Sequence, residues 1–303
     1  MAVYVVGDFL RETRLRKGYT QEEVSYGICT PASLSRIENG AQKPGRLILE
    51  KLFERLGTEN NLFNSFVSKE KMELYLEIQT LIRNVTDGDL QRIEEQIDIV
   101  DRLTKNTSEL ERQSLFWAKG ELATQKYGNN GKAMEYLMKA IQITLPDFDG
   151  KNPLRNHLLT FDEITIINSI AVRHAENTSL LTAIQLDMWL KEYMENRVVD
   201  GRMKTAKYPM ILYNLSCWFG SEHCHKEALD IANQGVDFCV KYGNLVAFPR
   251  LILNQGIASV ELGQIDNAKK YLHQAVTIFE TMKRMDTVEY ITTWCRNEYQ
   301  IEI

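Results

Sequence analysis

Within nine residues, Cys217, His223, Cys224 and His225 gather the side chains that hold a soft metal such as zinc. Their spacing follows no zinc-binding pattern, and the segment reads as the turn of a helical hairpin, so no metal site is expected. His174 and His273 have no evident Ser or Cys partner for nucleophilic chemistry, and the chain has no Gly-rich loop to cradle a phosphate. No catalytic residue and no cofactor is therefore expected. The remaining candidates recognise rather than react. Asn168, Asn214 and Asn254 recur along the second half of the chain, and each amide offers both a donor and an acceptor, the pair that the backbone of an extended peptide presents. Near the start, the run from Thr30 to Glu38 is rich in small and hydrogen-bonding side chains around one arginine, Arg36.

The elements around that run are legible from caps and breakers. Gly18 ends a first helix carrying Phe9, Leu10 and Thr13. Thr20-Gln21-Glu22-Glu23 is a capping box that starts a second helix. After a turn at Gly27-Ile28-Cys29, Thr30 caps a third helix with Pro31 at its first position, and the helix runs to Asn39-Gly40. Pro44 is read as opening a fourth helix, whose apolar face is Leu47, Ile48, Leu52, Phe53 and Leu56 and whose stop is Gly57. Two short helices joined by a tight turn match the helix-turn-helix, whose second helix enters the major groove of DNA.

The run GYTQEEVSYGI followed by TPASLSRIENGAQKP resembles the Xre/Cro-type repressor family, with a Thr-Gln pair opening helix two and a Ser-Arg-Ile-Glu-x-Gly signature closing helix three. The resemblance implies phosphate contacts for Gln21 and Lys43, base-edge contacts for Ala32, Ser33 and Arg36, and positions nearer the backbone for Thr30 and Ser35. It also implies a scaffold ion pair between Arg14 and Glu38. The chemistry agrees, since an arginine can bind guanine O6 and N7 together and a small residue can meet a thymine methyl. The alternative for Arg36 is a solvated helix residue. Pro31 and Ala32 stand where the family often has Gln, so direct readout at that end should be sparse.

Beyond residues 58–70, read as the domain boundary, a second pattern appears. An alanine, an apolar residue and a small residue recur as Ala133, Leu137, Ala140; Ala228, Ala232, Gly235; and Ala268, Leu272, Ala275, with a weaker copy from Ala183. Twelve to sixteen residues before the three clear copies lie Trp117, Gly120, Glu121; Leu212, Leu215, Ser216; and Ile252, Gln255, Gly256. These segments resemble degenerate tetratricopeptide repeats. About five helical hairpins are expected over residues 70–281, with a capping helix over 286–301, and the first hairpin, Leu74–Leu103, has no small-residue signature. Stacked hairpins expose a face of first helices suited to an extended peptide. The repeat frame places the three asparagines there, with Arg250 facing inward, Lys207 and Lys119 as weaker candidates, and Tyr213, Phe248 and Leu251 as apolar contacts. An asparagine at this position also serves as a strut between repeats, and an apolar stripe also serves as core.

Composition supports two helical parts. The chain has 303 residues, 44% of them apolar, with only 6 Pro and 17 Gly, too few breakers for an all-β sandwich. Residues 1–57 hold 9 Lys and Arg against 7 Asp and Glu, a net +2, while the whole chain is at −5. A basic head on an acidic body is consistent with nucleic-acid binding by the head. Five cysteines, an odd count without CxxC, suggest reduced thiols. The opening segment lacks the basic start of a signal peptide, and no long apolar run occurs, so a soluble cytoplasmic chain without membrane contact is expected.

The expected architecture is all-α: a helix-turn-helix domain over 1–60, a linker over 61–70 and degenerate repeats over 71–303. It resembles the Rgg/PlcR/PrgX group of peptide-pheromone-responsive transcription regulators. That resemblance implies a quorum-sensing regulator that binds double-stranded DNA and a short imported signalling peptide. A homodimer on a palindromic operator follows from the few base pairs one recognition helix can read. Two alternatives stay open: repeats that dock a protein partner, and a repeat protein acting on phospho-proteins.

Overall fold

The computed structural model describes residues 6–57, 69–105, 109–177, 179–197, 199 and 201–303, and all regular structure among them is helical. Packing divides the chain into two compact units, one formed by residues 1–189 and 196–201, the other by 190–195 and 202–303.

The first unit begins with α1 (Val6–Arg16), α2 (Gln21–Ser25), α3 (Pro31–Glu38) and α4 (Arg46–Arg55). The Thr20 hydroxyl accepts from the Glu23 N–H while the Glu23 carboxylate takes the Thr20 N–H at 2.7 Å, which completes the capping box. Thr30 caps α3 through the Ser33 N–H at 3.1 Å. Pro44 does not open α4. Gly45 is the cap and Arg46 the first helical residue, so the proline lies in the approach to the helix. Leu10, Val24, Leu34, Leu52 and Phe53 are fully buried at the centre of this head. Leu110 and Leu158, from far along the chain, complete the same core.

Three hairpins follow in this unit: α5 (Lys69–Asp87) with α6 (Leu90–Leu103), α7 (Gln113–Gln125) with α8 (Asn130–Gln142), and α9 (Phe161–Asn177) with α10 (Leu180–Asn196), of which Leu190–Glu195 belong to the second unit. The hairpin without a sequence signature closes on apolar residues, Leu74, Ile78, Leu81 and Val85 of α5 with Ile93, Ile97 and Val100 of α6, and the Gln96 amide of α6 donates to the Glu77 carboxylate of α5 at 2.6 Å. The α7–α8 crossing uses the small residues read from the sequence. A methyl group on Gly120 would stand 2.9 Å from the Leu137 side chain.

The second unit contains α11 (Gly201–Ser221) with α12 (His225–Tyr242), α13 (Phe248–Glu261) with α14 (Ile265–Thr281), and a capping helix α15 (Met285–Tyr299). Gly235 and Gly256 lie under Leu251 and Leu272, where an added methyl would meet those side chains at 2.7 Å. Such contact lets helix axes approach closely and fills the gap with one large side chain. Pro209 sits inside α11, so the Thr205 carbonyl loses its usual helical donor. The Asn244 side chain supplies the missing N–H at 2.8 Å, and its carbonyl oxygen takes the backbone N–H groups of Val246 and Ala247 at the approach to α13.

Candidate nucleic-acid interface and repeat face

In the head, the outer surface of α3 carries the residues singled out by the sequence. Thr30, Ala32 and Arg36 are exposed, Ser33 and Ser35 half-buried, and Lys43 is exposed beyond the end of the helix. The Arg36 guanidinium donates to the Ser33 hydroxyl at 3.3 Å, and the Thr30 hydroxyl donates to the same oxygen at 2.9 Å. Thr30, Ser33 and Arg36 thus form one chain of hydrogen bonds. Ala32 and Arg36 lie one helical turn apart and therefore share a face.

Behind that face lies a polar centre. Arg14 grips Glu38 with two parallel hydrogen bonds, 2.7 and 2.9 Å, and the pair is almost fully buried. The Glu38 carboxylate holds the Arg14 proton more firmly through the hydrogen bond, against the effect of burial. A third Arg14 donor reaches the Tyr19 carbonyl at 2.9 Å. Gln21 joins this centre, its amide nitrogen donating to Glu38 at 2.7 Å. The side chain read as a phosphate contact is thus a tie between α2 and the end of α3.

In the repeats, Asn168 on α9 donates to both carboxylate oxygens of Asp187 on α10, at 3.2 and 3.0 Å. Asn254 on α13 donates to the Ser216 hydroxyl at 2.6 Å and to the Cys217 sulfur at 3.1 Å, both on α11. These two asparagines make the bonds of struts. Asn214 is half-buried on α11 and also has an interaction within the protein. The Arg250 guanidinium stands over the Tyr213 ring, 5.7 Å from its centre. Burial, with a hydrogen bond to Cys217, pushes the Tyr213 hydroxyl up to about 12, and burial likewise raises the Cys217 thiol. Lys207 is half-buried and engaged, and Lys119 pairs with Asp101 at 3.3 Å.

The two apolar candidates on α13 differ from their expected role. Leu251 is fully buried against Gly235 and is core, because the small residue there draws it inward. Phe248 lines a cleft of about 570 Å³ with Ile252, Val236, Tyr271 and His273, on a different face of α13 from Arg250 and Asn254. Sequence reasoning also missed Lys51 and Arg55, which it left as ordinary residues of an apolar helix, and Glu163, whose capping box with Thr160 was available in the order Thr-Phe-Asp-Glu. Among the described residues no cluster of His, Cys, Asp and Glu is arranged to hold a metal ion, and no helix is long and apolar enough to cross a membrane.

Residues 5–66 match the helix-turn-helix domain family. A 63-residue stretch is 38% identical to YqaF of Bacillus subtilis, an uncharacterized HTH-type transcriptional regulator, and covers 20% of this chain and 83% of that protein. This chain belongs to the helix-turn-helix transcriptional regulators. The fold of the whole regulator is that of PlcR from Bacillus thuringiensis. Against PlcR in complex with the peptide PapR7 and DNA, the TM-score is 0.61 at 19% identity, over 95% of this chain and 99% of that one. Against apo PlcR it is 0.59 at 18% identity, covering 95% and 98%. A putative transcriptional regulator of Listeria monocytogenes gives 0.51 at 13% identity, with 97% of each chain covered. The helical hairpins after the head thus share the fold of PlcR over nearly the whole chain.

Proposed function

We propose that this regulator is a homodimeric peptide receptor that reads a palindromic operator and changes its grip on DNA when a short signalling peptide binds its repeats. The observation that carries this reading is the match along nearly the whole chain to PlcR, solved with the peptide PapR7 and DNA. In the head, Ala32, Ser33 and Arg36 read base edges, while Lys43, Thr30 and Ser35 lie along the backbone. Gln21 contributes by fixing α2 against Glu38. The Arg36–Ser33 bond holds the guanidinium on the outward face, ready to exchange the hydroxyl for a guanine edge. Self-association is supported by an exposed apolar group around the turn from α12 to α13, namely Val240, Tyr242, Leu245 and Val246.

For the peptide, the second unit offers Asn254, Asn214, Tyr213, Arg250 and Lys207, while Asn168 serves the first unit. A peptide backbone arriving at Asn254 competes with Ser216 and Cys217 for the amide N–H, so binding exchanges a strut for a clamp. An exchange of this kind gives the ligand different affinities for two arrangements of the helices, which any ligand-driven shift requires.

The test takes an operator selected from random DNA and a library of short synthetic peptides. Arg36→Ala should weaken the selected operator by about 1–3 kcal/mol and leave random DNA nearly unchanged, whereas Lys43→Ala should weaken both alike. A library peptide that alters operator affinity should lose about 1 kcal/mol or more of its own binding in Asn254→Ala. A lowered melting temperature with unaltered peptide affinity would make Asn254 a strut only. A library in which no peptide affects DNA binding would refute the receptor reading and leave the DNA assignment standing.

A further inference from the structure

The head is seated on the repeats of the first unit at two separate places, the first of them built from buried charge. At the first, Arg55 of α4 meets Glu163 of α9 at 2.7 Å, with both side chains fully buried although 108 positions apart. One turn earlier on α4, Lys51 bonds to Asp162 at 2.6 Å and to Gln113 of α7 at 2.7 Å. Glu54, between them, accepts the Phe161 N–H at 3.1 Å, and Glu163 accepts the Thr160 N–H at 2.6 Å, so the opening turn of α9 is tied down on all sides. Burial disfavours the Lys51 ammonium, but its acidic neighbours, led by Asp162, outweigh it and keep the proton on.

At the second place the turn of the reader itself touches the repeats. The Tyr26 ring packs edge-on against His157, 4.6 Å between centres, and its hydroxyl donates to Asp147. The next residue, Gly27, has a φ of +68°, and a methyl group there would stand 1.9 Å from the Thr144 carbonyl oxygen. Arg55 joins the two places, because it also donates to the Tyr26 carbonyl.

A reader on a flexible tether would need none of this. Burying fully desolvated ion pairs gains little stability over apolar packing, but it penalises every orientation in which the charges separate. From this geometry we infer that Arg55, Lys51, Glu163 and Asp162, with the Tyr26 seat, are positioning residues that fix the angle of the reader on the repeats and so set the spacing between the two half-sites that a dimer accepts. None of them needs to touch DNA. The inference rests on the dimeric reading above, since a single head has no spacing to set.

The experiment is selection of binding sites from a random DNA library by the full-length chain. The wild type should select paired half-sites at one spacing. Arg55→Met combined with Glu163→Met removes both buried charges together, which is tolerated far better than removing one. A second variant, Asp147→Ala with His157→Ala, lies wholly on the repeats and leaves the reader's own fold intact. Both should recover the wild-type half-site sequence while the share of sites at the dominant spacing falls several-fold. The same single spacing in the second variant would overturn the proposal, whatever the first one does. A wild type that selects unpaired half-sites would instead refute the dimer, an outcome visible before any variant is made.

Discussion

The polar centre of the reader and the glycine crossings of the repeats hold helices by different means. In the head, short helices converge on a polar centre in which Arg14, Glu38 and Gln21 satisfy one another at hydrogen-bond distances. In the second unit, long helices cross where Gly235 and Gly256 admit a leucine. Directional bonds specify angles, whereas apolar contact specifies proximity. On the proposed function, a domain that presents Ala32 and Arg36 to a groove needs the first, and repeats that take up a peptide can use the second. The joint at Arg55 and Glu163 extends the directional mode out of the head and into α9.

The largest expected effect is at the polar centre. Glu38→Ala leaves the Arg14 guanidinium buried without its partner and should destabilise the head by about 3–5 kcal/mol, seen as loss of its melting transition together with loss of DNA binding. Retained melting would show that water replaces the carboxylate and that the centre does not set the angles.

Next comes the joint. Glu54 is half-buried beside Asp162 and Glu50, with Lys51 as its nearby cation, and desolvation first, then Asp162, raises its carboxyl to about 8. The folded chain therefore holds Glu54 neutral at pH 7, while the unfolded chain ionises it. The stabilisation from that proton is complete below the ordinary carboxylate range and is lost as pH climbs towards about 8. Glu54→Gln keeps an acceptor for the Phe161 N–H and should flatten this part of the pH profile, leaving the variant the more stable of the two near pH 8 in thermal melts. A variant that keeps the wild-type slope would place the titrating group elsewhere.

The smallest effect is in the repeats. Gly256→Ala pushes a methyl into Leu272 and should cost about 1–3 kcal/mol, confined to the second unit, with the half-site sequence unchanged. Hydrogen exchange, followed residue by residue, would detect a head that loosens in response and so break the contrast between the regions.

This contrast also explains what the sequence revealed. Caps and breakers are local, so the boundaries of α2 and α3 follow from Thr20, Glu23, Thr30 and Gly40, and the buried Arg14–Glu38 pair is carried by a family signature only 24 positions wide. Periodic small residues are likewise local, and Ala133, Ala228 and Ala268 are buried where the pattern placed them. The joint is different. Lys51 and Arg55 are separated from Asp162 and Glu163 by more than 100 positions, and a charged residue on a short helix reads as solvated unless its distant partner is known. The asparagine ladder shows the same limit, because an amide that can clamp a peptide can equally bond to Asp187 or Ser216, and spacing alone does not choose.

The side chain of Asn244 places a further restriction on this chain, one that concerns length rather than energy. It mends the break made by Pro209 and organises the approach to α13 at once, so the distance from Thr205 to Ala247 is fixed by the reach of one amide. The turn from α13 to α14 has no such duty, since the Gln264 side chain makes no capping bond to the backbone of α14. Insertions, tags and graftings should therefore be accepted at Gly263 and rejected at Asn244, and any lengthening of the turn from α12 to α13 would require a compensating change at position 209.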